Sequence, residues 1–170
     1  MTTAYLALGT NLGDKEQNLS TAMELLNQQA GTITARSSIH KTEPWGFESA
    51  NGFLNMVIRI ETTLAPLELL HTVKTIEKQM GRPPRIEEKS NDKSNAKYQD
   101  RIIDIDIILY GDVVYQSDEL TLPHPLYKKR PFVLEPLNEI YPHPVCFTAN
   151  PLQIGERQEV RKVSTELTSG

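Results

Sequence analysis

The sequence predicts one α+β domain, residues 1–170, in which helices pack on a mainly antiparallel sheet. The 170 residues are 38% hydrophobic and 24% charged, as is typical of a globular domain with a sizeable core. Strand-like and helix-like segments follow one another in the order β-α-β-β-α-β. The third strand-like segment alternates apolar and polar residues, which is typical of a strand with one face in the core and the other mostly in water.

The first half of the chain predicts a strand, a helix and two more strands. Residues 3–8 form a short apolar strand that turn-forming residues close. Asp14 can cap a helix, and Gln17 completes a capping-box-like pair. Four apolar residues then recur at helical spacing: Leu19, Ala22, Met23 and Leu26. The β-branched segment 32–42 predicts the second strand, and segment 54–63 predicts the third.

The second half predicts a helix, a loop and a final strand. Pro66 suits a first helical turn, and Gly81 ends the same helix. Residues 83–100 lose all periodicity and predict a long mobile loop. Segment 102–110 is so apolar that it predicts a central strand, and the turn at 111–112 predicts a hairpin with the residues that follow.

A short helix over 132–140 and a peripheral tail over about 150–170 complete the prediction. The order of elements, with helices on one face of a mainly antiparallel sheet, is typical of a ferredoxin-like β-α-β-β-α-β sandwich.

Composition excludes several classes of function. With 22 acidic and 18 basic residues the net charge is −4, which disfavours nucleic-acid binding. No apolar run approaches the roughly 20 residues that span a bilayer, and the N-terminus does not resemble a secretory signal. We therefore expect a cytoplasmic protein with no membrane partner. A single cysteine, Cys146, excludes a disulfide within the chain, and the sequence contains neither a P-loop nor a Rossmann glycine motif.

The most informative feature is a pair of aspartates in the fourth strand. Side chains alternate along a strand, so Asp104 and Asp106 project together while their isoleucine neighbours are buried. Two adjacent carboxylates in an apolar strand repel each other unless a cation compensates. Mg²⁺ prefers one or two carboxylates together with phosphate oxygens, so the pair predicts a site for a phosphate-bearing substrate. The alternative is a solvent-facing pair neutralised by lysines or arginines.

Basic residues precede this strand. Residues 74–101 hold eight lysines or arginines and five acidic residues, the reverse of the whole chain. Phosphoryl transfer depends on positioned positive charge. Arg82 and Arg101 stand at the ends of rigid elements and are candidate catalytic residues, whereas each lysine of the loop is expected to be solvated.

Two further features are compatible with a small-molecule site. Trp45 lies in a turn rich in proline and glycine, and Phe53 and Asn55 follow it. Such aromatic and amide groups can hold a flat heterocycle, although they serve as core plugs equally often. His124 lies between two prolines, where it can donate to a phosphate or cap a turn.

Six ordered blocks of the sequence resemble the signatures of the 6-hydroxymethyl-7,8-dihydropterin pyrophosphokinase family. Their order and spacing make the resemblance specific, and it covers roughly residues 3–145. The blocks are 8–14 (LGTNLGD), 42–46 (TEPWG), 53–55 (FLN), 76–82 (IEKQMGR), 101–106 (RIIDID) and the linked segments 122–125 (LPHP) and 130–137 (RPFVLEPL).

The resemblance implies transfer of the pyrophosphoryl group of ATP to the hydroxymethyl group of a reduced pterin, with release of AMP, in folate synthesis. It implies two Mg²⁺ ions on Asp104 and Asp106, and catalytic roles for Arg82 and Arg101. The implied pterin pocket, with Trp45 added from the aromatic turn, is Thr42, Pro44, Trp45, Phe53, Asn55 and Phe132. The implied ATP contacts are Glu77, Arg85, Tyr98, Arg101, Ile107, Thr121, His124 and Arg130.

The chain departs from the family pattern in its loop, where a longer polar segment ends with Tyr98 in place of a tryptophan. Arg85 or one of the loop lysines is left as the additional triphosphate ligand. Two other classes also stay open: a two-metal cyclase or polymerase-like enzyme, and a binding module whose acidic face contacts a basic partner. We expect a monomer or a weak homodimer.

Overall fold

The computed structural model describes residues 1–42, 52–81 and 101–143, and the backbone of residues 160–163. Its strands are β1 (Thr2–Thr10), β2 (Thr32–Arg36), β3 (Ile39–Thr42), β4 (Phe53–Thr62), β5 (Asp104–Tyr110), β6 (Tyr115–Gln116), β7 (Thr121–Leu122) and β8 (Val160–Val163). Its helices are α1 (Lys15–Gln29), α2 (Pro66–Gln79) and α3 (Pro131–Ile140), and a 3-10 turn spans Tyr127–Lys129.

Six strands form one sheet in the order β5-β1-β4-β3-β8, and β2 pairs with β4 beside β3. Every pairing in this sheet is antiparallel. The predicted mixture of helices with an antiparallel sheet is therefore confirmed. Of the predicted peripheral tail the structure describes only β8, which joins the sheet next to β3.

The segment predicted as one strand over 32–42 is divided into β2 and β3. At the division, the Ser37 N–H donates to the carbonyl of Val57 at 2.8 Å, and the Ser37 hydroxyl oxygen accepts from the N–H of Val57 at 2.9 Å. Ser38 leaves the sheet and donates its N–H to the Glu139 carboxylate at 2.8 Å. The break thus depends on partners far along the chain, which local sequence does not reveal.

The two faces of the sheet are both covered. We call the side under α1 and α2 the α1–α2 face and the side under α3 the α3 face. The α1–α2 face holds the larger apolar cluster, including Leu6, Ile58 and Ile76. The α3 face holds a smaller cluster: Tyr5, Val57, Ile108, Leu109, Val133 and Leu137. The prediction of helices on one face only is therefore wrong.

The polar side of β4 is correspondingly less exposed than the alternation predicted. Asn55 and Val57 are both buried, because α3 packs against this strand. The other half of the prediction is confirmed: the apolar residues Met56, Ile58 and Ile60 all lie in the larger cluster.

The strand predicted to be central lies at one end of the described sheet. β5 pairs with β1 alone among the strands of that sheet, yet it is buried because both of its faces are covered. The predicted hairpin after it is also wrong. The strand that follows the turn, β6, pairs with β7 in a separate two-stranded sheet.

The helices begin and end close to the predicted positions. Asp14 caps α1 and accepts the N–H of Gln17 at 3.1 Å, but the side chain of Gln17 donates to Thr21, so the reciprocal half of the capping box is not formed. Gly81 follows α2 with φ 93°, a left-handed conformation that suits glycine. Within the part of the chain that is described, no helix is long and apolar enough to cross a membrane.

Candidate active site

One row of paired residues runs across four strands on the α3 face. His40 of β3 pairs with Asn55 of β4, Asn55 pairs with Gly9 of β1, and Gly9 pairs with Asp104 of β5. Directly paired residues point to the same face of a sheet. Asn55 and Asp104 are therefore separated by two strand spacings, about 10 Å.

The aspartates occupy the β5 end of this row. Asp104 pairs with Gly9 and Asp106 with Ala7, and both aspartates are half-buried. Ile103, Ile105 and Ile107 are buried in the opposite cluster. The predicted separation of the two carboxylates from the isoleucines is thus confirmed.

Arg101 is fixed to the end of β1 as well as to the aspartates. Its guanidinium lies 3.1 Å from the Asp104 carboxylate. Its N–H donates to the side-chain oxygen of Asn11 at 2.5 Å, and the Asn11 N–H donates to the Arg101 carbonyl at 3.0 Å. Asn11 is fully buried, and these two hydrogen bonds fix the backbone of Arg101 against the end of β1.

His124 and Arg130 bring further polar groups to the aspartates. The His124 N–H donates to the carbonyl of Ile108 in β5, and its Nδ1 accepts the N–H of Leu126 at 3.1 Å. Burial and the nearby positive charge of Arg130 lower the pKa of His124 to about 4, against the opposing influence of Asp104.

The histidine is therefore neutral at pH 7. Because Nδ1 accepts a hydrogen bond, the ring proton belongs on Nε2, which is then a donor. Both predicted possibilities for His124 are compatible with this arrangement: Nδ1 caps a turn, and Nε2 is left to donate to a phosphate.

A polar and aromatic group lies at the β3–β4 end of the row. Asn55 donates its amide to the Thr42 hydroxyl at 2.9 Å, and both side chains are buried. Phe53 pairs with Thr42 and is half-buried. Phe132, at the start of α3, packs against the Val57 cluster on the same face, with the Arg130 guanidinium 5.8 Å from its ring centre.

Gly9 lets the Asn55 side chain approach strand β1 closely. A Cβ built on Gly9 would lie 3.0 Å from the side-chain oxygen of Asn55, closer than such contacts normally permit. No positive φ requires glycine here, since that conformation occurs at Gly13, Gly81 and Gly111 among the described residues. The absence of a side chain at Gly9 therefore makes room for the Asn55 amide above β1, on the side of the sheet that also carries Asp104.

Glu77 and Ile107, two of the predicted ATP contacts, lie on the α1–α2 side of the sheet, and a third, Thr121, lies outside the row. Glu77 is buried on the last turn of α2, and the Ile107 side chain is buried in the larger cluster, so that only its main chain is available to a ligand. Thr121 is exposed on β7, a strand that contacts β5. The predicted site residues Arg82, Arg85, Tyr98, Pro44 and Trp45 lie outside the described residues, as does Cys146.

Sequence reasoning did not identify two residues of this arrangement as site residues, Gly9 and Asn11. A glycine inside a strand is a known sign of close approach, so Gly9 had a readable signal. Asn11 had none beyond its place in a turn, because its partner Arg101 is ninety residues away in the chain.

The donors at the aspartates suit a hard cation of the Mg²⁺ kind. In the described ranges, no group of three or more His, Cys, Asp or Glu side chains is placed to hold a metal ion by itself. Two carboxylates fit an ion that completes its coordination with phosphate oxygens and water. With guanidinium groups on one side and an amide pocket on the other, the fold and site define a transferase acting between a phosphorylated donor and a small polar acceptor.

Comparison with known proteins identifies the family. The family model described as 7,8-dihydro-6-hydroxymethylpterin-pyrophosphokinase matches residues 5–142. A protein of Porphyromonas gingivalis named 2-amino-4-hydroxy-6-hydroxymethyldihydropteridine pyrophosphokinase is 44% identical over 155 residues, with 88% of this chain and 99% of that protein covered. A protein of the same name from Aquifex aeolicus is 40% identical over 148 residues, covering 85% and 86%. The chain therefore belongs to this family and is a pyrophosphokinase of folate synthesis.

Solved structures agree with the fold. The wild-type HPPK-DHPS protein of Plasmodium falciparum with SDX-DHP superposes with a TM-score of 0.62 at 18% identity, covering 88% of this chain. The same protein with pterin and p-hydroxybenzoate gives a TM-score of 0.62 at 17% identity. This chain spans about two fifths of those longer chains, 42% and 40%.

Proposed function

We propose that the α3 face is the place where the pyrophosphoryl group of ATP is transferred to the hydroxymethyl group of 6-hydroxymethyl-7,8-dihydropterin. The observation that carries this proposal is the single row in which the Asn55 amide and the Asp104 carboxylate lie on one face, about two strand spacings apart, with glycine at the strand between them. A bicyclic acceptor bound at the amide would extend from there toward the aspartates.

The pterin would be recognised at the β3–β4 end of the row. A pterin carries hydrogen-bond donors and acceptors along one edge and two apolar faces. The Asn55 amide, oriented by the Thr42 hydroxyl, suits the edge, whereas Phe53 and Phe132 suit the faces. Pro44 and Trp45 are proposed to complete this pocket.

Two Mg²⁺ ions are proposed to bind ATP at Asp104 and Asp106. When bound, they would neutralise phosphate charge and orient the phosphates toward the pterin hydroxyl. Two carboxylates on one strand support ions that share phosphate oxygens of the nucleotide, because Mg²⁺ is usually bound by one or two carboxylates plus substrate phosphates.

Positively charged and neutral donors would position the transferred group. Arg101, held by Asn11 and Asp104, offers a fixed guanidinium, and Arg130 stands at the N-terminus of α3. The neutral His124 offers its Nε2–H as a hydrogen-bond donor and does not take up the proton of the pterin hydroxyl. Arg82 and either Arg85 or a loop lysine are proposed to add charge. Tyr98, Glu77, Ile107 and Thr121 are proposed as further nucleotide contacts.

In the proposed reaction the pterin hydroxyl oxygen forms a bond to the β-phosphorus of ATP, and the bond from that phosphorus to the α,β-bridging oxygen breaks. AMP leaves with that oxygen, and the hydroxyl proton is released to solvent. The strand order and antiparallel pairing also support the proposed ferredoxin-like topology. A cytoplasmic location and a monomeric or weakly dimeric state stay predictions.

The proposal is tested by following labelled phosphate. The chain is incubated with Mg²⁺, the reduced pterin and ATP labelled at the γ-phosphate. We expect the label on the pterin and an equal amount of AMP. Formation of ADP would instead indicate a simple kinase, and free labelled pyrophosphate a nucleotidyl transferase. Failure to consume ATP in the presence of the pterin would contradict the proposed reaction altogether.

A further inference from the structure

A cluster of three polar side chains behind the pterin pocket has no part in the proposed reaction. Glu139, in the last turn of α3, accepts the Ser38 N–H at 2.8 Å, the Ser38 hydroxyl at 2.6 Å and the Nε2–H of His40 at 2.6 Å. We call these three residues the α3–β3 clamp. It connects a helix and a strand about one hundred residues apart in the chain.

The position of Glu139 indicates that the clamp is a strong contact. A carboxylate near the C-terminus of a helix faces the negative end of the helix dipole, which disfavours it. Burial would raise the pKa of Glu139, yet the hydrogen bonds from Ser38 and His40 outweigh burial and lower it. Three charge-assisted hydrogen bonds therefore hold the carboxylate where the helix alone would not favour it.

The clamp adjoins the proposed pocket on both of its sides. His40 is buried and is the cross-strand neighbour of Asn55. Its Nδ1 is buried with no hydrogen-bond partner among the described residues. Its Nε2, by contrast, hydrogen-bonds to Glu139 and Ser38. On the other side, the helix that carries Glu139 begins with Phe132, which packs against the Val57 cluster two residues along β4 from Asn55.

We propose that the α3–β3 clamp is a positioning device for the pterin pocket, which sets the place of Phe132 relative to Asn55 through the rigid helix α3. This inference rests on the proposed function of the pocket. Glu139, Ser38 and His40 are positioning residues, because none of them lies at the aspartates or is needed to contact either substrate. The clamp fixes the separation between the aromatic face and the amide edge before the pterin binds, so loosening it weakens pterin binding specifically.

The test compares Glu139→Ala and Ser38→Ala with Glu139→Gln in the full chain. The matched control is Glu135→Ala, since Glu135 lies one turn earlier on α3 and its carboxylate is 3.9 Å from His40 Nδ1 with its side chain 54% exposed. The probes are 6-hydroxymethylpterin, whose fluorescence reports binding, and ATP, whose KM is measured in the pterin-dependent reaction.

We expect Glu139→Ala to weaken pterin binding about tenfold, the order of one lost charge-assisted hydrogen bond, while the KM for ATP changes less than about twofold. Glu139→Gln should recover part of the loss because it retains length and hydrogen-bonding capacity. The double variant Glu139→Ala with Phe132→Ala should bind pterin no more weakly than Phe132→Ala alone, because the clamp acts through Phe132.

Several outcomes would overturn the inference. Unchanged pterin affinity in Glu139→Ala, even with a lowered unfolding midpoint, would make the clamp a purely structural contact. An equal loss in Glu135→Ala would assign the effect to helix charge. If Glu139→Ala does not fold, unchanged pterin affinity in Ser38→Ala overturns the inference in its place. Failure of the unaltered chain to bind pterin would instead contradict the proposed function, which separates the two failures.

Discussion

The two faces of the sheet use the same strands for different purposes. On the α1–α2 face, β1, β4 and β5 contribute mainly apolar side chains to a continuous cluster, with Leu6, Ile58 and Ile107 almost fully buried. On the α3 face, the same strands carry Asn55, Gly9 and the aspartates in register. Because successive residues of a strand point to opposite faces, one strand can be both core and active site. The comparison indicates that stability resides mainly on one face and chemistry on the other.

The largest expected effect that separates the faces is at the aspartates. Asp106→Asn should lower turnover by at least about 10³-fold, since it removes a proposed metal ligand at the site of charge development. The free energy of unfolding, measured by urea denaturation without metal, should change far less than turnover, because Asp106 is only half-buried. Near-normal turnover at limiting Mg²⁺ would remove the pair from the mechanism.

A core substitution should show the opposite pattern. Ile58→Ala, fully buried on the α1–α2 face, should lower the free energy of unfolding by about 2–5 kcal/mol while turnover per folded molecule stays within about twofold. Its matched partner is Val57→Ala, one residue earlier on the α3 face. That variant should affect both unfolding and pterin affinity, so equal behaviour of the two variants would contradict the division.

Gly9→Ala tests the close approach of the Asn55 side chain to β1. The new methyl group would lie 3.0 Å from the Asn55 side-chain oxygen, so the amide must move by a few tenths of an ångström. We expect the KM for the pterin to rise about tenfold with little change in the KM for ATP, since a small misplacement weakens an oriented hydrogen bond.

The control for this contact is the double variant Gly9→Ala with Asn55→Ala. Its KM for the pterin should be no higher than that of Asn55→Ala alone, because the methyl group then has no amide to displace. Additive losses would show that Gly9 acts elsewhere.

The smallest expected effect concerns acid stability on the α3 face. The pKa of Glu139 is lower in the folded chain than its usual value of 4.5, so the folded form binds its proton less readily than the unfolded form. Its contribution to stability is therefore complete above about pH 4.5 and is lost as the pH falls through the folded pKa. Glu139→Gln should show a smaller fall in unfolding free energy between about pH 6 and pH 3 than the unaltered chain, measured by urea denaturation.

Local patterns in the sequence were sufficient for much of the α1–α2 face and for the aspartates. Alternation in β4 and β5 is a local property, and it correctly separates Ile58 from Asn55 and the isoleucines from Asp104. The cap at Asp14 is likewise local.

The α3 face was less predictable because its contacts join distant segments. The helix 131–140 is amphipathic, with Glu135, Asn138 and Glu139 on one side, but this pattern does not indicate which face of the sheet its apolar side covers. The break at Ser37 and Ser38 depends on Val57 and Glu139, and the buried state of Asn55 depends on α3. Asn11 and the α3–β3 clamp could not be inferred for the same reason.

The most direct test of the proposed site is whether the pterin and the Mg²⁺-nucleotide both bind on the α3 face. Calorimetric titrations of the full chain would use a non-hydrolysable ATP analogue with Mg²⁺, and then 6-hydroxymethylpterin. We expect each ligand to bind once per chain. Asn55→Ala should weaken the binding of the pterin only, and Asp106→Asn should weaken the binding of the Mg²⁺-nucleotide only. Pterin binding that is absent, or that Asn55→Ala leaves unchanged, would contradict the proposed site.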